Sequence, residues 1–267
     1  KHRTQQMTLG ECISACGFVP ADITAGRPLV DLEKIAAFIE LHIEQGPTLD
    51  SSETERVGIV TGIRGNVRHK KVVWLGQTAH SGAVDKPYRH DAVMATAELL
   101  TRMDKHWDEW LANGEDLVFT VGVLKTSATS AISVIPGETT FTVDMRSLSI
   151  DTCERFHELL LKEADAVAKE RGVKFEFDRK IVTDAAKVDA ALSDRIEAAA
   201  KSAGIPVRRL ASGAGHEAAV IGNSGVPVAM IFVANQNGSH NPYEAMKMED
   251  FMKGVNVLWH TVRDYDA

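Results

Sequence analysis

The alternation of apolar and polar residues over the stretch Ile35 to Pro47 is the clearest pattern in the chain. One set of alternate positions is apolar as far as Ile43, and the other set ends with three polar side chains, those of Glu40, His42 and Glu44. A period of two predicts a β-strand, and the Gly46-Pro47 pair predicts its end. The strand is therefore expected to present an imidazole and two carboxylates on one face, close to its carboxyl end.

Two interpretations of this strand follow from its polar face. Active sites of α/β proteins lie at the carboxyl ends of strands, and imidazole beside carboxylate is a suitable ligand set for Zn²⁺ or a similar ion. A half-exposed edge strand whose polar face contacts water is the structural alternative. The strand by itself leaves both interpretations open.

A short helix and a connecting segment are predicted before this strand. Thr8 and Glu11 have the spacing of a capping box, and Gly17 follows as a stop signal. The connection from this helix to the strand contains the turn-forming residues Pro20, Gly26 and Pro28.

Strand and helix patterns alternate through the middle of the chain. In order, the predicted elements are strands Val57 to Ile63 and Val67 to Leu75, a helix from about His90 to Ala112, strands Leu117 to Leu124 and Glu138 to Leu148, a helix Asp151 to Arg171 and a strand Val173 to Ile181. Asp151 and Glu154 have capping-box spacing at the start of the second helix. This order predicts an α+β sandwich of the ferredoxin-like type, with helices on one face of an antiparallel sheet.

The last part of the chain alternates as in an open α/β sheet. Its predicted elements are a helix Asp189 to Ala203, a strand Val207 to Ala211, a short helix from His216, a strand Val228 to Val233 and a helix Lys247 to Val262. The strand with the polar end is expected in the same sheet. We therefore predict a partial α/β domain formed by residues 1–62 and 182–267, with the sandwich, residues 63–181, inserted between them.

Composition excludes several classes of protein. The chain has 267 residues, of which 44% are hydrophobic and 25% charged, and a net charge of -7, which argues against a general nucleic-acid binder. No apolar run is long enough to span a bilayer, so no membrane association is expected. Three cysteines are too few for a disulfide framework, and we expect a reduced, cytoplasmic protein.

Three loops carry candidate chemistry. His80 lies in a turn of small residues between a strand and a helix, where side chains are presented outward. The stretch from Ser212 to Ala218 satisfies G-x-G-x-x-A, a dinucleotide-binding pattern, but no acidic residue follows at the distance needed to hold a ribose. His240 lies in a polar loop after a buried strand, so His42 and His240 are a plausible pair of metal ligands at neighbouring strand ends.

Five motifs in order along the chain resemble one family. They are Leu41-His42-Ile43-Glu44-Gln45-Gly46-Pro47, Ala79-His80-Ser81-Gly82 with Arg89-His90-Asp91-Ala92, Val134-Ile135-Pro136-Gly137 with Asp144-Met145-Arg146, Ser212 to Glu217, and Ser239-His240-Asn241-Pro242. The sequence resembles the branch of M20-type metal-dependent amidohydrolases that contains N-carbamoyl-L-amino acid hydrolases, allantoate amidohydrolases and β-ureidopropionases.

The resemblance implies a role for each of seven residues. His42 and His240 match ligands of the two metals of a two-metal site, and His80 matches a histidine of the inserted domain that stabilises the oxyanion in the partner subunit's site. Four residues match the substrate-binding set, namely Gln45, Ser133, Arg146 and His216. Arg146 corresponds to the guanidinium that clamps a substrate carboxylate. Glu40 and Glu44 match no metal ligand and are assigned to structural hydrogen bonds.

Three departures from the family pattern limit this transfer. Ser133 stands where the family usually has asparagine, and the turn after His80 reads Gly82-Ala83-Val84-Asp85-Lys86-Pro87 in place of Gly-Thr-x-Pro-Met. The first metal histidine, the bridging aspartate and the glutamate pair that includes the general base match nothing in the chain. We therefore expect a fragment that is inactive alone, with an incomplete metal site.

For the complete protein, the resemblance implies metal-dependent hydrolysis of a linear ureido or amide C–N bond. The implied cofactors are two divalent metal ions, Zn or alternatively Mn, Co or Ni. The implied partners are a small substrate bearing a carboxylate and a second copy of the chain, joined through the inserted domain. A non-catalytic relative used for dimerisation or binding, and a dinucleotide-dependent oxidoreductase, are the alternatives.

Overall fold

The computed structural model describes residues 6–26 and 30–265. The helices are α1 (Leu9–Ala15), α2 (Pro20–Thr24), α3 (Ala92–Ala112), α4 (Ile150–Arg171), α5 (Ala190–Ser202), α6 (Glu217–Asn223) and α7 (Met248–Arg263). The strands are β1 (Phe38–Ile43), β2 (Val57–Ile63), β3 (Gly65–Leu75), β4 (Ala79–His80), β5 (Val118–Thr120), β6 (Leu124–Thr126), β7 (Val134–Ile135), β8 (Glu138–Ser147), β9 (Lys174–Phe177), β10 (Ile181–Thr183), β11 (Val207–Ser212) and β12 (Val228–Val233).

The strand with the polar end, β1, lies in a four-stranded sheet of order β1-β12-β2-β11. β1 is parallel to β12, β12 is antiparallel to β2, and β2 is parallel to β11. His42 pairs with Phe232 and Ile43 with Val233, so β1 and β12 end side by side. The expectation that β1 and the strand Val228 to Val233 share a sheet is confirmed.

The two faces of β1 contact different cores, as its alternating pattern predicts. Ile39 and Leu41 pack with apolar residues of α5 and α7. Phe38 packs on the opposite face of the sheet, with the residues around α6. Glu40 and His42 are in phase with Phe38, so their side chains lie on the α6 side of the sheet.

A second sheet is fully antiparallel, with β3 and β8 at its centre. β9 and β10 pair with β3, whereas β5 and β6 pair with β8. α3 and α4 cover one face, where the buried side chains include Trp74, Phe141 and Phe156. Phe141, Val143 and Met145 all point into this core, as their alternation along β8 predicts.

Three strand predictions are corrected by the pairing. Val57 to Ile63 belongs to the four-stranded sheet and not to the sandwich pattern that runs to Ile181. The predicted strand Val173 to Ile181 is two strands, because a register shift in β3 between His69 and Val72 leaves a gap between their partners. The predicted strand Leu117 to Leu124 is likewise divided into β5 and β6.

The helix ends follow the expected signals in most places. The capping box of α1 is present and Gly17 has a φ of 86°, while Gly172 ends α4 with a φ of 62°. Ser149, and not Asp151, caps α4 by accepting from the backbone N–H of Thr152. Part of the connection before β1 forms the short helix α2, with Pro20 in its first turn. The turn expected at Pro28 lies outside the described residues.

Candidate active site

An open pocket of about 720 Å³ lies where β1 and β12 end. Its wall includes His42 from β1, Gln45 from the turn that follows, and His240 from the loop after β12. The carboxyl ends of adjacent parallel strands form one edge of the sheet, which is where open α/β sheets bind ligands. The fold therefore brings the two histidines predicted as a pair into one pocket.

The ring of His42 is held in one orientation. Its Nδ1 lies 2.7 Å from the carbonyl oxygen of Ile43. A carbonyl can only accept, so Nδ1 donates, and the neutral ring carries its lone pair on Nε2. A backbone carbonyl on the far nitrogen is the usual device that orients a metal-binding histidine.

His216 and Glu40 lie against His42 and form a possible ligand group with it. The ring centroids of His42 and His216 are 4.7 Å apart, and one ligand atom from each of the three residues lies within 4.8 Å of the others. Glu40 Oε2 accepts from the backbone N–H of Ala218 at 2.8 Å, while Oε1 lies 3.8 Å from His216 Nδ1. Glu40 thus has the structural hydrogen bond that we expected, and also a free oxygen beside two imidazoles.

His216 is almost fully buried at the start of α6. Burial, with a smaller contribution from the nearby His42, lowers the pKa of its imidazole to about 4. Its Nε2 lies 2.6 Å from Ser212 Oγ, so the side chain spans the turn from β11 into α6. His216 is therefore neutral at pH 7, a state in which an imidazole can bind a metal. His216 is not among the described residues that line the pocket, but its ring makes an edge contact with the ring of His42.

Glu44 has the structural role that was expected. Its carboxylate accepts from the backbone N–H groups of Thr48 and Leu49, at 2.9 and 2.7 Å. These bonds close the turn that follows β1, so the carboxylate is satisfied by the backbone.

Both loops that line the pocket, the turn after β1 and the loop after β12, contain residues with left-handed backbone conformation. Gln45 and His240 have φ values of 63° and 61°, and Asn237, in the loop of His240, has a φ of 63°. Asn235 Oδ1 accepts from the backbone N–H of Gln45 at 2.8 Å, and Ser239 Oγ accepts from Gln45 Nε2 at 3.1 Å. Such conformations are costly away from glycine and persist where neighbouring contacts impose them, which is common at functional sites.

A second cavity of about 610 Å³ lies between the two large sheets. Gln45 and His240 line one side, and Arg146 of β8 lines the other. Arg146 bonds to the Asp144 carboxylate from Nε at 3.2 Å and from Nη2 at 2.7 Å, and its Nη1 donates to the carbonyl of Gly213 in the four-stranded sheet unit. Burial tends to raise the pKa of Asp144, but the bonds from Arg146 and Arg68 outweigh it and hold that pKa below its usual value.

His80 and Ser133 lie together in a different part of the molecule. His80 pairs with Val134 in the two-stranded sheet of β4 and β7, and Ser81 N–H donates to the Ser133 carbonyl at 2.9 Å. Both side chains are exposed, and neither is among the described residues that line the two cavities. The structure thus places His42, Gln45 and His240 in one pocket, places Arg146 opposite Gln45 and His240 in the adjoining cavity, and brings His80 and Ser133 together elsewhere.

Two residues of the site had no role in the sequence analysis, and a third, Glu40, had only a structural one. Asn235 and Ser239 hold Gln45, and Glu40 joins His42 and His216. The sequence could have indicated Asn235, because it is a polar residue two positions after the end of a fully buried strand. The contact of Glu40 with His216 joins residues far apart in the chain and has no local signature.

Comparison with known proteins shows the family of the chain. Residues 20–264 match the family described as Peptidase family M20/M25/M40, and the chain belongs to this family. It is 34% identical over 229 residues to the N-carbamoyl-L-amino acid amidohydrolase of Geobacillus stearothermophilus, covering 85% of the chain and 54% of that protein. It is 30% identical over 249 residues to the allantoate amidohydrolase of Escherichia coli (strain K12), covering 93% of the chain and 58% of that protein.

A solved structure shares the fold over almost the whole chain. It is an amidase of the hydantoinase/carbamoylase family from Burkholderia multivorans, with a TM-score of 0.83 and 30% identity over 97% of the chain and 60% of that structure. The chain thus spans little more than half the length of the relatives that it matches. In the described part of the chain, no helix is both long and apolar enough to cross a membrane.

Proposed function

We propose that the complete protein is a metal-dependent amidohydrolase that cleaves a linear ureido or amide C–N bond in a small carboxylate-bearing molecule. The observation that supports the proposal is the convergence of His42, Gln45 and His240 in one pocket at a sheet edge, with Arg146 facing Gln45 and His240 across the cavity between the sheets. Two imidazoles in one pocket, and a guanidinium in the cavity that shares Gln45 and His240 with it, suit a substrate with a polar reacting bond and an anionic end.

The residues present fit a divalent metal. His42 has a free Nε2 oriented by a backbone carbonyl, and His240 lines the same pocket, so these two residues would contribute one ligand to each of two ions. Glu40 and His216 add a carboxylate oxygen and a neutral imidazole next to His42. When bound, such ions polarise the scissile carbonyl and lower the pKa of a bound water.

Substrate binding is assigned to residues of both sheets. Arg146 would exchange its bonds to Asp144 and Gly213 for a bidentate pair with the substrate carboxylate, a geometry that guanidinium favours. Gln45 would contact the ureido or amide group from the opposite wall, held by Asn235 and Ser239. We also assign Ser133 and His216 to the substrate-binding set, on the family pattern.

We further propose that residues 63–181 form an inserted lid that also joins two copies of the protein. The sheet of β3 and β8 has helices on one face only and ends in short edge strands, which a two-fold partner can extend. His80 is not among the described residues that line the two cavities, which supports a role for its imidazole in stabilising an oxyanion in the partner's site. The free cysteines, of which Cys153 is buried, support a cytoplasmic location.

The dinucleotide alternative loses support at the same turn that suggested it. His216 and Ser212 fill the turn between β11 and α6 with their own hydrogen bond, and His216 faces Glu40 and His42. The non-catalytic alternative differs from our proposal in one measurable property, which is turnover.

An ammonia-release assay of the complete protein tests the proposal. The substrates are N-carbamoyl-L-amino acids and allantoate, which the names of relatives suggest. We expect turnover with at least one substrate, loss of turnover after chelation and recovery when a divalent metal is returned. Absence of turnover with every substrate and metal would favour the non-catalytic alternative, and NAD-dependent turnover would favour the oxidoreductase.

A further inference from the structure

The turn that carries His80 is held in place by a half-buried arginine. Arg89 donates from Nε to the carbonyl of Val84 at 2.8 Å, and from Nη2 to the carbonyl of Ser81. No carboxylate of the described residues lies within ion-pair distance of this guanidinium. Its charge and its planar fork are therefore used on two backbone carbonyls of one turn, which an ammonium cannot hold in the same geometry.

The backbone of this turn fixes the tautomer of His80. The N–H of Gly82 donates to His80 Nδ1 at 3.1 Å, and since a backbone N–H can only donate, Nδ1 accepts. The neutral ring then carries its proton on Nε2. That nitrogen has no acceptor among the described residues, so it is a donor free for a ligand.

The hydrogen bond from Arg89 and the hydrogen bond to His80 both involve the peptide group between Ser81 and Gly82. The N–H of Ser81 donates to Ser133 at 2.9 Å, and the Ser81 carbonyl accepts from Arg89. The peptide unit that contains this carbonyl also contains the N–H of Gly82, because a peptide group is planar and rigid. Arg89 thus orients the same unit that donates to His80.

We infer that Arg89 is a positioning residue that presents His80 as an Nε2–H hydrogen-bond donor. The catalytic use of that donor rests on the proposed function, since an oxyanion needs a donor and not a lone pair. The positioning itself belongs to this turn and is measurable without turnover. Arg89→Lys keeps the positive charge but loses the planar fork of donors, and Arg89→Gln loses both.

Nuclear magnetic resonance of the ¹⁵N-labelled chain tests the inference. His80→Gln assigns the His80 ring signals, which report the tautomer, and the amide of Gly82 reports the hydrogen bond. We expect an Nε2–H tautomer in the wild type, and a Gly82 amide shift that follows the protonation of His80, because a proton on Nδ1 removes the acceptor. We call this dependence of the Gly82 amide shift on His80 protonation the coupling, and we expect it to be lost in both Arg89→Gln and Arg89→Lys.

Two controls separate positioning from general damage. Arg179→Gln removes the same charge from an exposed arginine that makes no hydrogen bond with the described residues, and should keep the coupling. Gly82→Ala keeps the N–H and places a methyl in ordinary contact, 3.4 Å from His80 Cε1, so the coupling should also remain. Two results would overturn the inference. One is a Gly82 amide shift in the wild type that does not change when His80 is protonated. The other is an Arg89→Gln variant whose Gly82 amide shift responds to that protonation as strongly as it does in Arg179→Gln.

A failure of the catalytic role proposed for His80 can be distinguished from a failure of the positioning by Arg89. If His80→Ala in the complete protein leaves turnover unchanged while the coupling is present and depends on Arg89, the catalytic role of His80 is wrong and the positioning by Arg89 stands.

Discussion

Arg146 shows how one side chain can belong to an ion pair and to a binding site. Three of its nitrogens are occupied in the structure, two by Asp144 and one by the Gly213 carbonyl, yet the side chain lines the cavity between the sheets. Asp144 is also paired with Arg68 at 3.2 Å, so it keeps one partner if Arg146 turns toward a ligand. This arrangement lets Arg146 exchange partners without leaving the half-buried Asp144 carboxylate unpaired.

Arg146→Lys tests the carboxylate clamp. In the complete protein we expect KM to rise about tenfold or more, roughly 1.4 kcal/mol, with the stability little changed, because lysine cannot form the bidentate pair. Arg68→Lys is the matched control, since Arg68 contacts the same carboxylate but is not among the described residues that line the cavity. Steady-state kinetics that give equal KM values for wild type and Arg146→Lys would contradict the clamp.

His157 predicts a pH dependence of stability in the sandwich. His69 Nδ1 donates to Asp178 at 3.0 Å, so His69 Nε2 accepts from His157 Nε2 at 2.9 Å. Burial is the main reason that the pKa of His157 falls to about 4, and the nearby His69 adds to it. As pH falls, His157 is therefore protonated in the unfolded chain before it is protonated in the folded protein. The free energy of unfolding decreases between about pH 6.5 and 4.

His157→Gln removes this titration and keeps a donor toward His69. Between pH 7 and 4.5, we expect the wild type to lose up to about 3 kcal/mol more unfolding free energy than the variant. Urea unfolding at the two pH values measures the difference. Equal losses in the two proteins would show that His157 is not held neutral by the fold.

Local sequence patterns predict a strand or helix well where one of its faces is buried. They predict strand ends poorly where pairing with a distant strand sets those ends. The alternation along β1 and β8 sorts their side chains between core and cavity as expected, and helix stop signals hold at Gly17 and Gly172. The divided strands after Leu117 and Val173 could not be read, because their ends are set by partners in β8 and β3. Pairing of distant segments leaves no trace in a local period.

The turn after β1 is attached to α7 by one buried ion pair. Arg56 donates to the Asp250 carboxylate at 2.8 Å and to the carbonyls of Leu49 and Asp50 at 3.0 and 2.7 Å. Removal of the guanidinium would leave Asp250 buried, and of the described residues only Lys253 would remain as its charged partner. The turn that carries Gln45 into the pocket therefore depends on a helix from the end of the chain.

Arg56→Met should destabilise the four-stranded sheet unit by about 3 kcal/mol, since one charge of a buried pair is left behind. Arg209→Met is the comparison, because Arg209 pairs with Asp194 and Glu197 on the surface, and we expect a loss below about 1 kcal/mol. Chemical denaturation of both variants gives the two values. Similar small losses would mean that the Arg56 pair contributes no more than a surface pair.

At the scale of the whole molecule, the sequence predicted which strand ends meet but not everything they bring together. His42 and His240 were expected at neighbouring strand ends, and they line one pocket because β1 and β12 pair in parallel. The cluster of Glu40, His42 and His216 depends on α6 packing against β1, which no spacing along the chain encodes. The position of Arg146 opposite Gln45 likewise needs both sheets in place.

The assembly of the complete protein is open to a direct test. We expect a two-fold dimer through residues 63–181 at micromolar concentration, because the outer edges of that sheet pair with no other strand of the described residues. Sedimentation velocity measures the assembly state alongside activity. An active protein that sediments only as a monomer would exclude both the dimer and a role of His80 in the partner's site.

Metal stoichiometry of the complete protein tests the central claim most directly. Elemental analysis is made on the wild type, on His42→Gln and on His240→Gln, with His106→Gln, a helix-surface histidine outside the site, as the control. If each histidine binds a different ion, the wild type and the control hold two equivalents of metal and release ammonia, while each site variant holds about one and is inactive. Two equivalents of metal with turnover in both site variants would contradict the account.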